Sequence, residues 1–236
     1  MLLSASPENL LLRAASRARR PSGQLKHVVF EAGQQLWAAD VPIPYALFPL
    51  RGVVSLQVAV DRGRQADIGL VGREGYAEVP FLQGADRTRM IAVALTAGEA
   101  LVIQPDLFRA YLSDAGFREA MERYMRMFMM MLSQMSVCNR VHTIEKSFIG
   151  RLLLMQDRTQ ADSFQLTQDF FSRVLGVRKA TISRAAARLQ EQGAIRYDRR
   201  GRLTILDRRK LDGQSCSCYQ AIKAESDHLI AALGGF

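Results

Sequence analysis

Hydrophobic and polar positions divide this chain into three stretches with different periods. Between residues 25 and 104 the period is two. From Gly52 to Val60, Val54, Leu56, Val58 and Val60 lie on one side of a pleat, and Ser55 and Gln57 on the other. Gln65–Val71 returns after the turn Asp61-Arg-Gly-Arg64, and further strand patterns run over Lys26–Phe30, Tyr45–Phe48, Met90–Leu95 and Glu99–Ile103. Gly and Pro punctuate them at short intervals, as in an antiparallel roll or sandwich. After Pro105 the period becomes helical. A short helix covers Asp106–Ser113, and a long one covers about Phe117–Asn139. In the long helix Met121, Met125, Phe128, Leu132 and Met135 are spaced four, three, four, three, the a/d seam of a paired helix. Met127, Met130 and Met131 add a second apolar side, so the helix needs two partners. One is its own roll, and the other is expected to be the same helix of a second copy.

Leu166–Gly193 reads as two short helices and a tight turn. Thr167 is placed to cap the first, Phe171 and Leu175 share its buried face, and Gly176 ends it. The second runs from about Arg178 to Gln192. Ile182, Ala185, Ala186 and Leu189 form its core side, and Arg178, Lys179, Thr181, Ser183 and Arg184 its early polar side. A helix with cationic first turns, packed across another, can enter a major groove. Ile195–Tyr197, the turn Asp198–Gly201 and Arg202–Leu206 then form a hairpin with Arg199, Arg200 and Arg202 at its tip. Helix pair plus basic hairpin is the pattern of a winged helix-turn-helix, whose wing suits phosphates. A packing helix at His142–Asp157 precedes it, and a terminal helix is expected over Leu211–Gly235. Residues 1–20 read as a short helix after Pro7 followed by a basic connector with Arg13, Arg17, Arg19 and Arg20.

The fold class is therefore α+β. The expected organisation is a sensor roll at 1–115, a dimerisation helix and linker at 116–140, and the winged domain at 141–236. At 236 residues, two domains are the better prior.

Charge sharpens this division. The net charge is +9, and residues 137–236 carry 17 Lys and Arg against 10 Asp and Glu, whereas the first 136 carry 15 against 13. The excess travels with the helix-turn-helix, as nucleic-acid binding requires. The opening residues place their basic cluster after the apolar ones, the reverse of a secretion signal, and no run reaches a membrane-spanning length. Three cysteines make no disulfide framework. A soluble, reducing cytoplasm is the expected location, and no membrane partner is expected. There is no P-loop, GxSxG or HExxH, and His27, His142 and His228 show no ligand spacing, so no enzyme is expected. Cys216-Ser-Cys218 reads as a pair of small, semi-buried residues and Cys138 as a packing residue, with no metal site expected.

The order of roll, long helix and winged helix-turn-helix, and the segment LTQDFFSRVLGVRKATISRAAARLQEQGAI, resemble the Crp/Fnr family of bacterial transcription regulators. FEAGQQLW, YALFPLRGVVSL and GLVGREGY resemble that family's sensor roll, a jelly roll of the cyclic-nucleotide-binding kind. The resemblance implies a sequence-specific homodimer on a palindromic operator, with double-stranded DNA, a second copy and RNA polymerase as partners. It assigns base reading to Lys179, Ala180 and Arg184. Arg184 suits the two acceptors of guanine, and Ala180 cannot accept from cytosine. Phosphate contacts fall to Thr167, Gln168, Arg178, Thr181, Ser183, Arg199, Arg200 and Arg202. The effector-pocket positions are held by Glu78, Val79, Arg89 and Met90. Only Arg89 retains a group suited to a cyclic phosphate, so the site reads as degraded, cyclic AMP is not expected and no cofactor is expected. The competing reading is a regulator that uses this fold for protein contacts without reading DNA.

Overall fold

The computed structural model describes residues 9–15, 25–60, 64–198 and 200–234. The period-two stretch forms two antiparallel sheets. One contains β1 (Lys26–Phe30), β7 (Gly98–Ile103) and β3 (Ala46–Arg51), in that order. The other has the order β2 (Gln35–Trp37), β6 (Ile91–Ala94), β4 (Val54–Val60) and β5 (Arg64–Val71). Strand β2 is an addition to the sequence reading: three residues are too few to display a period. The tip of the β4–β5 hairpin, expected at Asp61–Arg64, falls largely outside the described residues, as do Pro7, Arg17, Arg19 and Arg20.

The helical part follows. Helix α1 (Leu10–Ala15) buries Leu10, Leu11 and Leu12. Asn9 secures its start, donating to the Pro49 and Gly75 carbonyls at 3.0 and 2.8 Å. Helix α2 (Pro105–Tyr111) leads to α3 (Ala115–Val141), where Asp114 accepts from the Phe117 amide at 2.9 Å. Phe48, Tyr76, Phe108, Phe117 and Tyr124 form a linked aromatic cluster between the roll and α3, branching at Tyr76. Gly75 permits this closeness, because a Cβ there would lie 2.2 Å from the Tyr124 ring.

Helix α4 (Ile144–Thr159) opens the C-terminal part. It is followed by β8 (Ser163–Gln165), α5 (Gln168–Leu175), α6 (Lys179–Glu191), β9 (Ile195–Tyr197) and β10 (Arg202–Ile205). The wing is thus three-stranded, in the order β8-β10-β9, with one strand more than the hairpin read from sequence. The single terminal helix expected over 211–235 is two, α7 (Arg208–Gln214) and α8 (Ser217–Ala232). Asp207 caps the first through the Lys210 amide, and the chain turns at Ser215 and Cys216 before the second begins.

Two guanidiniums fasten α4 to the roll. Arg151 Nη1 lies 2.6 Å from Asp67 on β5, and Arg158 Nε lies 3.1 Å from Glu74. All four side chains are almost wholly buried. Arg158 Nε also donates to the Leu70 carbonyl at 3.0 Å. Ser55 donates to Asp67 at 2.6 Å, and Gln57 donates to Ser55 at 3.0 Å. The polar side of β4 is therefore an interior network, because α4 covers it. Burial pushes the Asp67 carboxyl above its ordinary value, and the adjacent Arg151 opposes the shift.

The long helix corrects the seam. Met121, Phe128 and Met135 are buried within their own subunit, whereas Met125 and Leu132 are half-buried. Apolar residues spread over more than one side of α3, opposite a polar side with Glu119, Arg123 and Arg126, so the hydrophobic repeat alone could not fix which edge faces the roll. The edge left open carries Met125, Met129, Leu132, Ser133 and Ser136, with Met129 57% exposed. Met127, on the far side, meets Ser226 of α8.

Candidate nucleic-acid interface

The two helices of the motif form for local reasons. Thr167 Oγ1 accepts from the Phe170 amide at 3.2 Å and so caps α5. Gly176 follows Leu175 with φ of 64°, a conformation that stops a helix cheaply only without a Cβ. Phe171 packs edge-on against Phe148 of α4, with centroids 4.8 Å apart. Ile182, Ala185, Ala186 and Leu189 turn the inner side of α6 to the core. The small alanines let α6 approach its neighbours, and the opposite side remains in solvent.

That outer side carries Arg178, Lys179, Ala180 and Arg184, all exposed, with Thr181 and Ser183 partly covered. Arg178 occupies the N-cap and provides no capping bond, so the first amides of α6 add their dipole to the cationic face. Lys179 is held by Asp169 at 2.8 Å, with the two side chains 58% and 53% exposed. An ion pair so open is worth little and exchanges readily for a phosphate or base. Ser183 donates to Gln168 Oε1 at 2.6 Å, tying the start of α5 to α6. Nothing in the sequence pattern singles out Asp169. Its sign is opposite to the surrounding surface, and only the fold brings it to Lys179.

The wing tip lies beside the cap of α5. A Cβ on Gly201 would be 3.1 Å from Thr167 Cγ2, and Gln165 donates to the Arg200 carbonyl at 2.6 Å. The Tyr197 hydroxyl donates to the Leu166 carbonyl. Asp198 shapes the turn by accepting from the Arg200 and Arg202 amides at 2.8 and 2.9 Å. Those contacts, the Arg202 amide foremost, hold its carboxyl below the ordinary value. Arg200 and Arg202 are exposed, and Arg199 lies outside the described residues. Farther along α6, Arg188 is drawn away to Glu145 at 3.0 Å.

In the roll, the four pocket positions do not converge. Arg89 is 88% exposed and reaches Asp40 at 3.3 Å. Its neighbours Thr88 and Met90 face inward, Thr88 Oγ1 accepting from the Met90 amide at 3.0 Å, so Arg89 between them points out. Val79 is buried at the start of the 3-10 turn Val79–Gln83. Glu78 is fully buried at φ of 79°, and burial pushes its carboxyl up while the Thr88 hydroxyl opposes this. The expectation of one pocket formed by Glu78, Val79, Arg89 and Met90 is corrected accordingly. A second change concerns the cysteines: Cys138 and His142 lie beside Cys216 and Cys218.

A family model described as a Crp-like helix-turn-helix domain matches residues 149–213. No curated protein matches the chain. Among solved structures, the chain is similar to FixK2 from Bradyrhizobium japonicum at 16% identity, over 83% of this chain and 99% of that one, with a TM-score of 0.70. It is similar to a CRP/FNR-family transcriptional regulator from Thermus thermophilus at 20% identity, over 80% and 98%, with a TM-score of 0.63. It is also similar to the c-di-GMP-responsive global regulator CLP of Xanthomonas campestris at 16% identity, over 77% and 93%, with a TM-score of 0.59. At such identities the structural likeness is one of fold. Among the described residues no helix is long and apolar enough to cross a membrane.

Proposed function

We propose that this chain, a DNA-binding transcription regulator of Crp/Fnr type by its helix-turn-helix domain and its fold, acts as a homodimer on a palindromic operator. Helix α6 enters the major groove. Arg184 pairs in bidentate fashion with a guanine, Lys179 reaches a neighbouring acceptor, and Ala180 offers a methyl group to thymine. Thr167, Gln168, Arg178, Thr181, Ser183 and the wing arginines Arg199, Arg200 and Arg202 hold phosphates. The observation that carries this reading is the open cationic side of α6 beside a basic wing tip packed against Thr167. The second copy packs along the open edge of α3 at Met125, Met129 and Leu132, placing the two reading helices about one turn of duplex, ~34 Å, apart.

The roll supplies the input. Arg89 turned to solvent and a buried Glu78 support a sensor that does not take cyclic AMP. A carboxyl group at a phosphate position repels, and Arg89 points into solvent away from Glu78 and Met90, which face inward. RNA polymerase is the partner that would convert operator binding into altered transcription. Selection of bound duplexes from a random pool tests the reading. Enrichment of an inverted repeat with half-sites one helical turn apart is expected, together with a dimer in solution. A pool that stays random, or a monomer bound to a single half-site, would overturn it.

A further inference from the structure

All three cysteines of the chain and one of its three histidines meet at a single point. Cys138 lies on the last turn of α3, and His142 caps that helix. Cys216 is the N-cap of α8, and Cys218 sits two residues on. Cys138 Sγ is 3.6 Å from Cys216 Sγ, and Cys218 Sγ is 3.6 Å from His142 Nδ1. All four donor atoms lie within 4.8 Å of one another. Cys216 and Cys218 are buried, and Cys138 and His142 half-buried. Three thiols and an imidazole converging from segments more than 70 residues apart in sequence are more than packing requires.

We propose that Cys138, His142, Cys216 and Cys218 form a binding site for one thiophilic divalent cation of the zinc class. A tetrahedral zinc with bonds of about 2.3 Å to sulfur and 2.0–2.1 Å to nitrogen sets its donors roughly 3.5–3.8 Å apart. The two measured edges of 3.6 Å are already of that size. The longest edge, at most 4.8 Å, closes by about 1 Å when an ion enters. Thiolate and imidazole donors select zinc and its congeners over magnesium or calcium, which take oxygen. A disulfide would use only Cys138 and Cys216, leaving Cys218 and His142 without a role. A single ion uses all four.

The surroundings suit such a centre. Binding deprotonates the three thiols and releases their protons to solvent. Neutral His142 supplies a lone pair, so the loaded site carries one negative charge. Arg151 lines the same small cavity as the three cysteines, and its buried Nη2 has no hydrogen-bond partner among the described residues. With its charge already met by Asp67, it offers the loaded site a hydrogen-bond donor. Cys216, at the start of α8, faces the open amides of the first turn, which favour a thiolate.

The position of the site gives the ion a mechanical role. His142 is the joint between α3 and α4, and the reading helices follow that joint. An ion there would pin α8 to the end of α3 and fix the angle at which the winged domain leaves it. This role rests on the DNA-binding reading, but cation binding does not, so the two are measured separately.

The reduced full-length chain is titrated with cobalt(II), and absorption is followed without DNA. Saturation at one equivalent is expected, with a thiolate-to-cobalt charge-transfer band, tetrahedral ligand-field bands and displacement by zinc. His142→Ala and Cys218→Ser should each weaken cobalt binding at least tenfold while retaining the helical circular dichroism of the parent. Gel shift with the selected operator then asks whether one equivalent of zinc changes affinity in the parent and not in His142→Ala. Absence of a charge-transfer band at stoichiometric cobalt, with three freely titrating thiols, would overturn the site. So would a spectrum unaltered in both variants, or a Cys138–Cys216 disulfide that forms equally fast with and without zinc. Metal uptake without any change in operator affinity would leave the cation site standing and remove its mechanical role.

Discussion

The cations of the winged domain fall into two groups used in opposite ways. On α6, Arg178, Lys179 and Arg184 stand in water, and the strongest contact among them is an open pair with Asp169. On α4, Arg151 and Arg158 are sealed against Asp67 and Glu74. Exposed charges contribute little to folding and remain available to a partner. Buried ones are committed, because removing either partner leaves a charge in a medium that cannot solvate it. The same residue type thus stays free for a partner on one helix and serves attachment on another. Burial decides which.

The largest break in that comparison is expected from Arg158→Ala. It should cost about 3–5 kcal/mol in urea unfolding, since Glu74 would be left buried without a counter-charge, with only the Gly72 amide donating to it. A loss below about 1 kcal/mol would mean that water reaches Glu74 and that the roll and α4 separate in solution. Arg184→Ala should show the reverse profile. Binding to the selected operator weakens by about 1–3 kcal/mol, while folding stability shifts by no more than about 0.5 kcal/mol. Equal losses in folding and binding would place Arg184 in the packing instead.

A carboxyl group in the roll sharpens the contrast. Burial raises the Glu78 carboxyl in the folded chain. The native state therefore holds its proton more tightly than the unfolded state, and the associated stability declines as pH rises from the ordinary carboxyl range toward the raised value. Glu78→Gln should gain on the order of 1 kcal/mol near neutral pH, and the gain should vanish on acidification. Thermal melts at several pH values would show it, and a pH-independent difference would contradict the burial. The smallest effect belongs to Asp169→Ala, which frees Lys179. Stability should move by less than about 0.5 kcal/mol, and only the salt dependence of DNA binding should change perceptibly.

What was legible in the sequence follows from how local each signal is. The motif at Leu166–Gly193 depends on neighbours three to five positions apart, and Thr167, Gly176 and Ile182 take the expected roles in the structure. The alternation of β4 correctly paired Ser55 with Gln57 on one face. It could not say what covers that face, and the answer is α4 with Asp67 and Arg151. On α3 the apolar repeat was real, but methionines on more than one side left its orientation open, so Met121, Phe128 and Met135 turned inward. The pocket positions followed a resemblance over a stretch where a shift of one residue reverses in and out, as Arg89 illustrates. Cys138 and His142 gave no sign of belonging with Cys216 and Cys218, because only the packing of α8 on α3 joins them.

Arg151 and Arg158 are seven residues apart, two turns of one helix, so their anchors are separated by about 10 Å along α4. A body held at two points cannot slide along that helix. The packing of α8 on α3 and of α5 on β5 removes rotation about the line through them as well. A disturbance reaching β5 would thus be carried into the winged domain as a shift of the whole body, with α6 moving along with it.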